Sequence, residues 1–313
     1  MSYTSSVKTD MLRNMREDRR LANAELAGLL AAAAKITFRP ETISFRIRTD
    51  SAAFARYIYR LSDMLYDIRP TISAEKNATG GHRRFTAEFA DGLNILTGTG
   101  FLARGRHWHS PVFRTIVDAP EDEQRSFLRG VFLGCGSLAD PERTYHLELA
   151  AGAALAEVAV ELLRGFDIRA GIVGRKSQSV VYIKDSEQVS DFLRLIGAYS
   201  ALLSFENVRI NKEIRNEVNR QVNCETANIN KTTDAAGREL HAIGVLRRSG
   251  AFDDLPDNVR EAAMLREQYP DDSIGELIEH SGGISRSTMH RRLKKLVDTA
   301  AALGEVKNDT EKD

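Results

Sequence analysis

The amino-acid sequence predicts an α+β protein, in which a duplicated domain with pseudo-twofold symmetry precedes a small all-α domain. The tetrapeptide Tyr66-Asp67-Ile68-Arg69 recurs as Phe166-Asp167-Ile168-Arg169. One recurring tetrapeptide is weak support, but the order of helical and extended patterns around each copy also repeats, so duplication is the better interpretation. Three short amphipathic helical patterns between Leu255 and Ala300 predict the all-α domain.

The composition is that of an ordinary globular protein. The chain has 313 residues, of which 42% are hydrophobic and 28% are charged, and this length suits about two domains. Its 44 Lys and Arg residues balance its 44 Asp and Glu residues, so the formal net charge is zero. Such a chain does not attract nucleic acid through its overall field, and any surface that binds nucleic acid must therefore be local.

Each repeat of the first domain is predicted to follow the order α-β-α-β-β-α. The first repeat has a small-residue helix (26–35), an alternating strand (43–47), a helix (51–64), two strands around a polar turn (77–81) and a short helix (91–96). The corresponding segments of the second repeat are residues 124–134, 146–149, 153–165, 176–179 for the turn, and 186–196. The two repeats together form one domain.

Composition and pattern divide the chain into four parts. Residues 1–205 form the duplicated domain, with repeats at about 20–100 and 120–200, and residues 206–250 form a polar helical linker. Gly244 and the pair Ser249-Gly250 are predicted to interrupt this linker. Residues 251–303 form the all-α domain, and the charged end of the chain, residues 304–313, is predicted to be disordered.

The helices of the all-α domain have recognisable ends. Ser273 and Glu276 match a capping box at the start of the second helix. Ser281-Gly282-Gly283 then forms a turn, and Ser285 can cap the third helix. The residues of the third helix that share one narrow arc, and therefore face the core, are Met289, Leu293 and Leu296.

The opposite side of the third helix is predicted to bind DNA. Five Lys or Arg residues and no acid lie between Ile284 and Leu296. Cations and small hydroxyls opposite an apolar seam are what a helix-turn-helix recognition helix needs, because they contact base edges and phosphates. A solvated basic helix in a bundle is the alternative. The predicted DNA-binding residues are Ser285, Arg286, Ser287, Thr288, His290, Arg291, Arg292, Lys294 and Lys295.

Two small-residue segments resemble the signature of LAGLIDADG homing endonucleases. They are Leu26-Ala27-Gly28-Leu29-Leu30-Ala31-Ala32-Ala33-Ala34 and Leu128-Arg129-Gly130-Val131-Phe132-Leu133-Gly134-Cys135-Gly136. The resemblance implies two closely packed central helices, with an acid at the eighth position of each that holds a catalytic metal ion. Those positions are Ala33 and Cys135, and neither supplies a carboxylate oxygen. We therefore predict no catalytic residue, metal or other cofactor.

The two cysteines, Cys135 and Cys224, belong to no metal-ligand spacing. Both are interpreted as reduced, buried structural thiols rather than redox or nucleophilic groups. No apolar stretch approaches the length of a transmembrane helix, and the N-terminus lacks the apolar core of a signal peptide. We expect a cytoplasmic, nucleoid-associated protein with no membrane partner.

The chain as a whole resembles the WhiA family of sporulation transcription regulators. The segments that carry the resemblance are residues 3–8, 127–133, 140–141, 145–148, 223–228 and 284–287. The most specific of them is the string Asn-Cys-Glu-Thr-Ala-Asn at residues 223–228. One departure is Cys135 with Gly136-Ser137, where a glycine-rich helix end is more usual; it does not affect the DNA-binding assignment.

The resemblance implies a degenerate homing-endonuclease domain joined to a helix-turn-helix domain. The function it implies is a sequence-specific transcriptional regulator of cell division, chromosome segregation or sporulation, which binds double-stranded DNA without cutting it. An alternative is a scaffold whose nuclease-like domain binds another regulator or RNA polymerase. Asn223, Glu225, Asn228 and Asn230 are candidates for a hinge or interaction contact. A polar helix that forms hydrogen bonds between the domains explains them equally well.

Overall fold

The computed structural model describes residues 2–13, 15–76, 83–103, 112–175 and 178–310, with the side chains of residues 304–310 excepted. The chain divides into two units, Met1–Lys212 and Glu213–Asp313. This division falls shortly after the predicted end of the duplicated domain at residue 205. Among the described helices, none has the length and apolar character needed to cross a membrane.

The first unit contains two repeats with the same order of elements, preceded by helix α1 (Tyr3–Met11). The first repeat consists of α2 (Arg19–Ala33), β1 (Ala34–Phe38), β2 (Ile43–Thr49), α3 (Ala52–Tyr66), β3 (Thr71–Lys76), β4 (Arg83–Phe89) and α4 (Leu93–Gly98). After α5 (Val112–Thr115), the second repeat consists of α6 (Glu121–Cys135), β5 (Gly136–Leu138), β6 (Leu147–Ala151), α7 (Ala153–Gly165), β7 (Gly171–Arg175), β8 (Gln178–Ile183) and α8 (Ser186–Leu195). The predicted duplication is confirmed.

The two sheets share one topology. Their strand orders are β1-β2-β4-β3 and β5-β6-β8-β7, and every neighbouring pair is antiparallel. Phe45 and Ile47 of β2 point into the core, as do Leu147 and Leu149 of β6, and all four are buried. Alternate residues of these strands are less buried, so each sheet covers the core with one face only.

Each repeat contains one strand more than we predicted, and its order is α-β-β-α-β-β-α. The missed strands β1 and β5 follow their helices directly, since the backbone becomes extended at Ala34 (φ −76°, ψ 134°) and Gly136 (φ −75°, ψ 150°). The helix predicted to reach Lys35 therefore ends at Ala33. These short strands form by pairing with β2 and β6, which local periodicity does not reveal. The turns predicted at 77–81 and 176–177 lie outside the described residues, while Gln178 and Ser179 already belong to β8.

The recurring tetrapeptide marks the same backbone turn in both repeats. Asp67 and Asp167 have φ values of 55° and 60°, in the left-handed region that Asp tolerates better than most residues do. Asp67 ends α3 and Asp167 lies just after α7, and each turn leads the chain toward an edge strand, β3 or β7. The sequence repeat therefore has a structural cause.

The centre of the first unit is the contact between α2 and α6. A Cβ atom added at Gly28 would lie 2.1 Å from the backbone oxygen of Phe127, and one added at Gly130 would lie 2.0 Å from that of Glu25. No real carbon–oxygen contact is that short. Only glycine lets these backbones approach so closely. The close helix packing that the LAGLIDADG resemblance implied is thus confirmed.

A buried charged network crosses the same contact. The Glu25 carboxylate, which is 0% exposed, accepts a 2.6 Å hydrogen bond from the Tyr57 hydroxyl and lies 3.2 Å from Arg129 Nε. Arg129 also donates to the carbonyl oxygens of Ile196 and Met11, at 3.0 and 2.5 Å. Burial raises the pKa of Glu25, and Arg129 opposes this shift. One guanidinium therefore joins α2, α6, the end of α1 and the residue after α8.

The second unit has its own helical core. Its helices are α9 (Tyr199–Ser249), whose N-terminal part belongs to the first unit, α10 (Asp257–Gln268), α11 (Ile274–His280) and α12 (Arg286–Thr310). Ile243 and Leu246 of α9 are buried in this core together with Val259, Leu277 and Leu293. The end of the predicted linker is therefore an integral part of the second core.

Two helices are longer than predicted. α9 continues through Gly244, where we predicted an interruption, and ends at Ser249 as expected. Its neighbours Ile243 and Leu246 are buried, and their packing outweighs the cost of about 1 kcal/mol for a helical glycine. α12 continues to Thr310, beyond Ala300, where the third helical pattern was expected to end, and the disorder expected for residues 304–313 stays a prediction.

We predict that Gly130→Ala destabilises the first unit by about 1–3 kcal/mol, because the added methyl group collides with a backbone carbonyl. Gly165→Ala is the matched control, since a Cβ atom at that helix end meets nothing within 4 Å. Urea denaturation followed by circular dichroism measures both. Equal stability of the two variants would contradict the close contact of α2 with α6.

Candidate nucleic-acid interface

The predicted caps begin both α11 and α12, and a glycine turn joins the two helices. The Ser273 backbone N–H donates to Glu276 Oε2 at 2.7 Å, and the Glu276 N–H donates to Ser273 Oγ at 3.4 Å. Gly282 and Gly283 have φ values of 75° and 98°, which favour glycine. Ser285 Oγ accepts a backbone N–H from the first turn of α12. These local interactions determine where α11 and α12 start.

A buried ion pair, which we did not predict, joins three segments of the second unit. Arg266 is 1% exposed, and its Nε atom lies 2.9 Å from Glu239 Oε2. The same guanidinium donates to the carbonyl oxygens of Tyr269 and Asp272, at 3.3 and 2.5 Å. Burial raises the pKa of Glu239, and Arg266 opposes this shift. Arg266 thus ties α10 to α9 and to the loop before α11.

Helix α12 has one buried and one exposed face. Met289, Leu293 and Leu296 are 1%, 1% and 0% exposed, which confirms the predicted core face. No cation of the exposed face forms an ion pair within the described part of the chain. The predicted DNA-binding residues that are exposed are Ser285, Arg286, Ser287, His290, Arg291, Lys294 and Lys295.

Thr288 and Arg292 differ from the other predicted residues. Both are partly buried. The Thr288 hydroxyl lies 2.8 Å from Ser285 Oγ, and the Arg292 guanidinium, with its side chain 20% exposed, lies 3.7 Å from Glu261. Arg292 precedes the buried Leu293, so it lies at the margin of the core. These two side chains contact their own unit and contribute little to the exposed face.

The asparagine-rich segment of α9 is open to solvent. Asn223, Glu225, Asn228 and Asn230 are all exposed. Glu225 accepts a hydrogen bond from Gln221, and the Asn228 amide contacts the Sγ atom of Cys224, so these contacts stay within the helix. Our interpretation of Cys224 as a buried thiol was wrong, since it is exposed. It lies in a stretch of α9 whose side chains meet no core, and the polar residues around it are the signal that could have predicted its exposure.

The positions of the LAGLIDADG acids lie at the ends of the two central helices. Ala33 is the last residue of α2, and Cys135 is the last residue of α6. Cys135 is partly rather than fully buried, and burial raises the pKa of its thiol to about 11, although Lys8 opposes the shift. A methyl group and a neutral thiol do not fit Mg²⁺, which prefers carboxylate oxygens. In the described ranges, no three His, Cys, Asp or Glu side chains lie together in an arrangement that could hold a metal ion.

Fold and site together define a class of protein: a duplicated LAGLIDADG-like domain followed by a helix-turn-helix domain. The family model of the WhiA N-terminal LAGLIDADG-like domain matches residues 19–94, and that of the WhiA LAGLIDADG-like domain matches residues 124–215. The model of the WhiA C-terminal HTH domain matches residues 218–300. The chain belongs to the WhiA family.

Relatives match over almost the full length. A protein of Clostridium beijerinckii, named as cell division protein WhiA, is 35% identical over 311 residues, which cover 97% of this chain and 99% of the relative. One of Alkaliphilus metalliredigens with the same name is 35% identical over 305 residues, covering 95% and 96%. The crystal structure of full-length DUF199/WhiA from Thermatoga maritima matches with a TM-score of 0.60 at 23% identity, over 96% of this chain and 99% of that one. This last likeness concerns the fold.

We predict that iodoacetamide modifies Cys224 but not Cys135 in the folded protein at pH 8. A thiol with a pKa of about 11 is ionised to about one part in a thousand at that pH, and the thiolate is the reactive form. Peptide mass spectrometry measures both sites, and unfolding in urea should expose both to the reagent. Equal modification of both cysteines in the folded chain would contradict the burial of Cys135.

Proposed function

We propose that this protein is a sequence-specific DNA-binding transcriptional regulator. The observation that carries the proposal is the exposed face of α12, with Arg291 and Lys294 at its centre and Ser287 beside them. An α-helix fits the major groove of double-stranded DNA, where Arg and Lys bind guanine or phosphate and Ser binds bases or phosphate oxygens. Since the net charge of the chain is zero, the attraction to DNA is local to this face.

The rest of the second unit supports this use of α12. Its buried face packs against the core, and the capped turn with its two left-handed glycines determines where the helix begins. A helix held in this way presents its cations without a large entropic cost on binding. We infer that Arg286, Ser287, His290, Arg291, Lys294 and Lys295 form the contact surface, while Thr288 and Arg292 support it from the margin.

We infer further that the protein does not cleave DNA. Hydrolysis of a phosphodiester in the LAGLIDADG manner needs a carboxylate at the end of each central helix to hold a divalent metal ion. Ala33 and Cys135 occupy those two places. The central helices keep their glycine contact, so the first unit retains the architecture without the ligands.

The biological role that we propose is the control of cell division. The relatives in Clostridium beijerinckii and Alkaliphilus metalliredigens are named as cell division proteins, which supports this role over chromosome segregation or sporulation control. A scaffold that binds another regulator or RNA polymerase through its first unit is the second candidate. It is compatible with the first, because DNA binding is assigned to the second unit.

Removal of one central cation of α12 should weaken binding to the operator DNA. The operator is first identified by selecting genomic fragments that bind the full chain. For Arg291→Ala we expect a loss of about 1–3 kcal/mol if a base contact disappears, and for Lys294→Ala a salt dependence reduced by about one phosphate contact. Arg194→Ala is the control, since Arg194 is exposed on α8 and pairs with Asp191. Fluorescence anisotropy across a salt series measures all three. Unchanged operator affinity in Arg291→Ala would overturn the assignment of α12.

Incubation of supercoiled plasmid carrying the operator with the full chain and Mg²⁺ or Mn²⁺ tests the absence of nuclease activity. We expect the plasmid to stay supercoiled, because neither motif position supplies a metal ligand. Gel electrophoresis over several hours is the measurement. Specific nicking that persists through purification would show that other residues supply the ligands.

A further inference from the structure

The first sheet is incompletely covered at the edge formed by β3. A groove of about 300 Å³ lies there between α3 and the sheet. Ala52, Ala55 and Tyr59 of α3 form one wall, and Ile72 of β3 and Phe85 of β4 form the other. Its volume is at the small end of the range for ligand pockets, which suits a few side chains of a partner.

The apolar wall of the groove ends a row of cross-strand neighbours that runs from the core to the edge of the sheet. Ile72 pairs with Ala87, which pairs with Ile47. Ala87 and Ile47 are 1% and 0% exposed, whereas Ile72 is 39% exposed. Because β3 is the edge strand, α3 does not reach far enough to cover it. The large aliphatic side chain of Ile72 is thus exposed to water. A helix or strand that packed against it would extend the hydrophobic core.

Two cations without partners form the rim of this groove. Arg56 and Arg60 are exposed and lie one turn apart on α3, so their side chains point the same way. Neither forms an ion pair with any described residue. Nearby, Arg69 does pair with Asp63 at 2.8 Å. The groove therefore combines an apolar floor with two available guanidinium groups.

The second repeat carries the opposite charges at the same positions. Arg56 and Arg60 are the fifth and ninth residues of α3, and Glu157 and Glu161 are the fifth and ninth residues of α7. All four side chains are exposed. Since both repeats form the same fold, the fold itself does not require cations at these positions. The basic rim is a property of the first repeat alone.

We propose that this groove binds an acidic amphipathic helix of a partner protein. The apolar side chains of that helix extend the row that ends at Ile72, and burial of their surface provides the affinity. Its carboxylates pair with Arg56 and Arg60, which sets the direction and register of the helix. This is recognition of a helix in a groove. Nucleic acid also matches the cations, so a loss of operator affinity in variants of the two arginines would assign the groove to DNA instead.

The test uses the full chain and dye-labelled peptides of about 15 residues, a length that can form a helix. The first peptide carries Leu at i, i+4 and i+7 with Glu beside them. The second has Lys in place of Glu, and the third has Ser in place of Leu. Fluorescence anisotropy should show saturable binding of the first peptide only, because the groove requires both apolar and acidic groups.

Variants locate the binding to the groove. Arg56→Glu with Arg60→Glu, and separately Ile72→Ser, should each weaken binding of the first peptide at least about tenfold, the equivalent of about 1.4 kcal/mol. The matched control is Glu157→Lys with Glu161→Lys, the same reversal on α7, which should leave binding unchanged. Operator affinity should be the same in all variants, since α12 is untouched.

The absence of saturable binding of the first peptide would overturn the proposal. So would equal binding of the Lys peptide or the Ser peptide, or full binding by the Arg56→Glu, Arg60→Glu variant or by Ile72→Ser. Sedimentation velocity of the free chain tests for a second copy as the occupant. The contrary result is self-association that is lost with either charge reversal and regained when the two reversed proteins are mixed. That result would identify α7 of another copy, rather than a helix of a partner protein, as the occupant of the groove.

Discussion

The backbone contact between α2 and α6 at Gly28 and Gly130 is the interaction on which the first unit depends. Each central helix passes directly into the first strand of its own sheet, at Ala34 and Gly136. The approach of the helices therefore sets the placement of both sheets. A side chain at either glycine would separate the backbones, because the neighbouring carbonyl oxygens already occupy its place. Glu25 and Arg129 cross this contact and extend it to α1 and α8.

The residues that pack the two central helices together are different from those at the positions of the LAGLIDADG acids. The glycines that bring the helices together lie within them, whereas Ala33 and Cys135 lie at their ends, where no close packing requires an acid. Carboxylates can be lost there without loss of the fold. The charged groups that remain buried, Glu25 with Arg129, make hydrogen bonds that offset only part of the desolvation, since burial still raises the pKa of Glu25. The exposed cations of α12 and α3 lie elsewhere in the chain, and they form no ion pair with a described residue.

Local signals explain most of what could be predicted. The capping box at Ser273, the left-handed glycines of the following turn and the buried arc of α12 depend on residues close in sequence, and all were identified correctly. Strands β1 and β5 were missed because they exist through pairing with β2 and β6. The exposure of Cys224 and the pairing of Arg292 with Glu261 were missed for a related reason. The exposure of a side chain and its ion pairing both depend on which segments distant in sequence pack against it.

The sequence by itself determined the duplication, the helix-turn-helix pattern and the absence of carboxylates at Ala33 and Cys135, because each of these is a property of residue identity or short-range spacing. Only the tertiary structure decided the rest. It brought Glu25 to Arg129 and Glu239 to Arg266. It also left Ile72 uncovered beside the two arginines of α3. Burial and ion pairing depend on three-dimensional distance, which residue spacing along the chain does not specify.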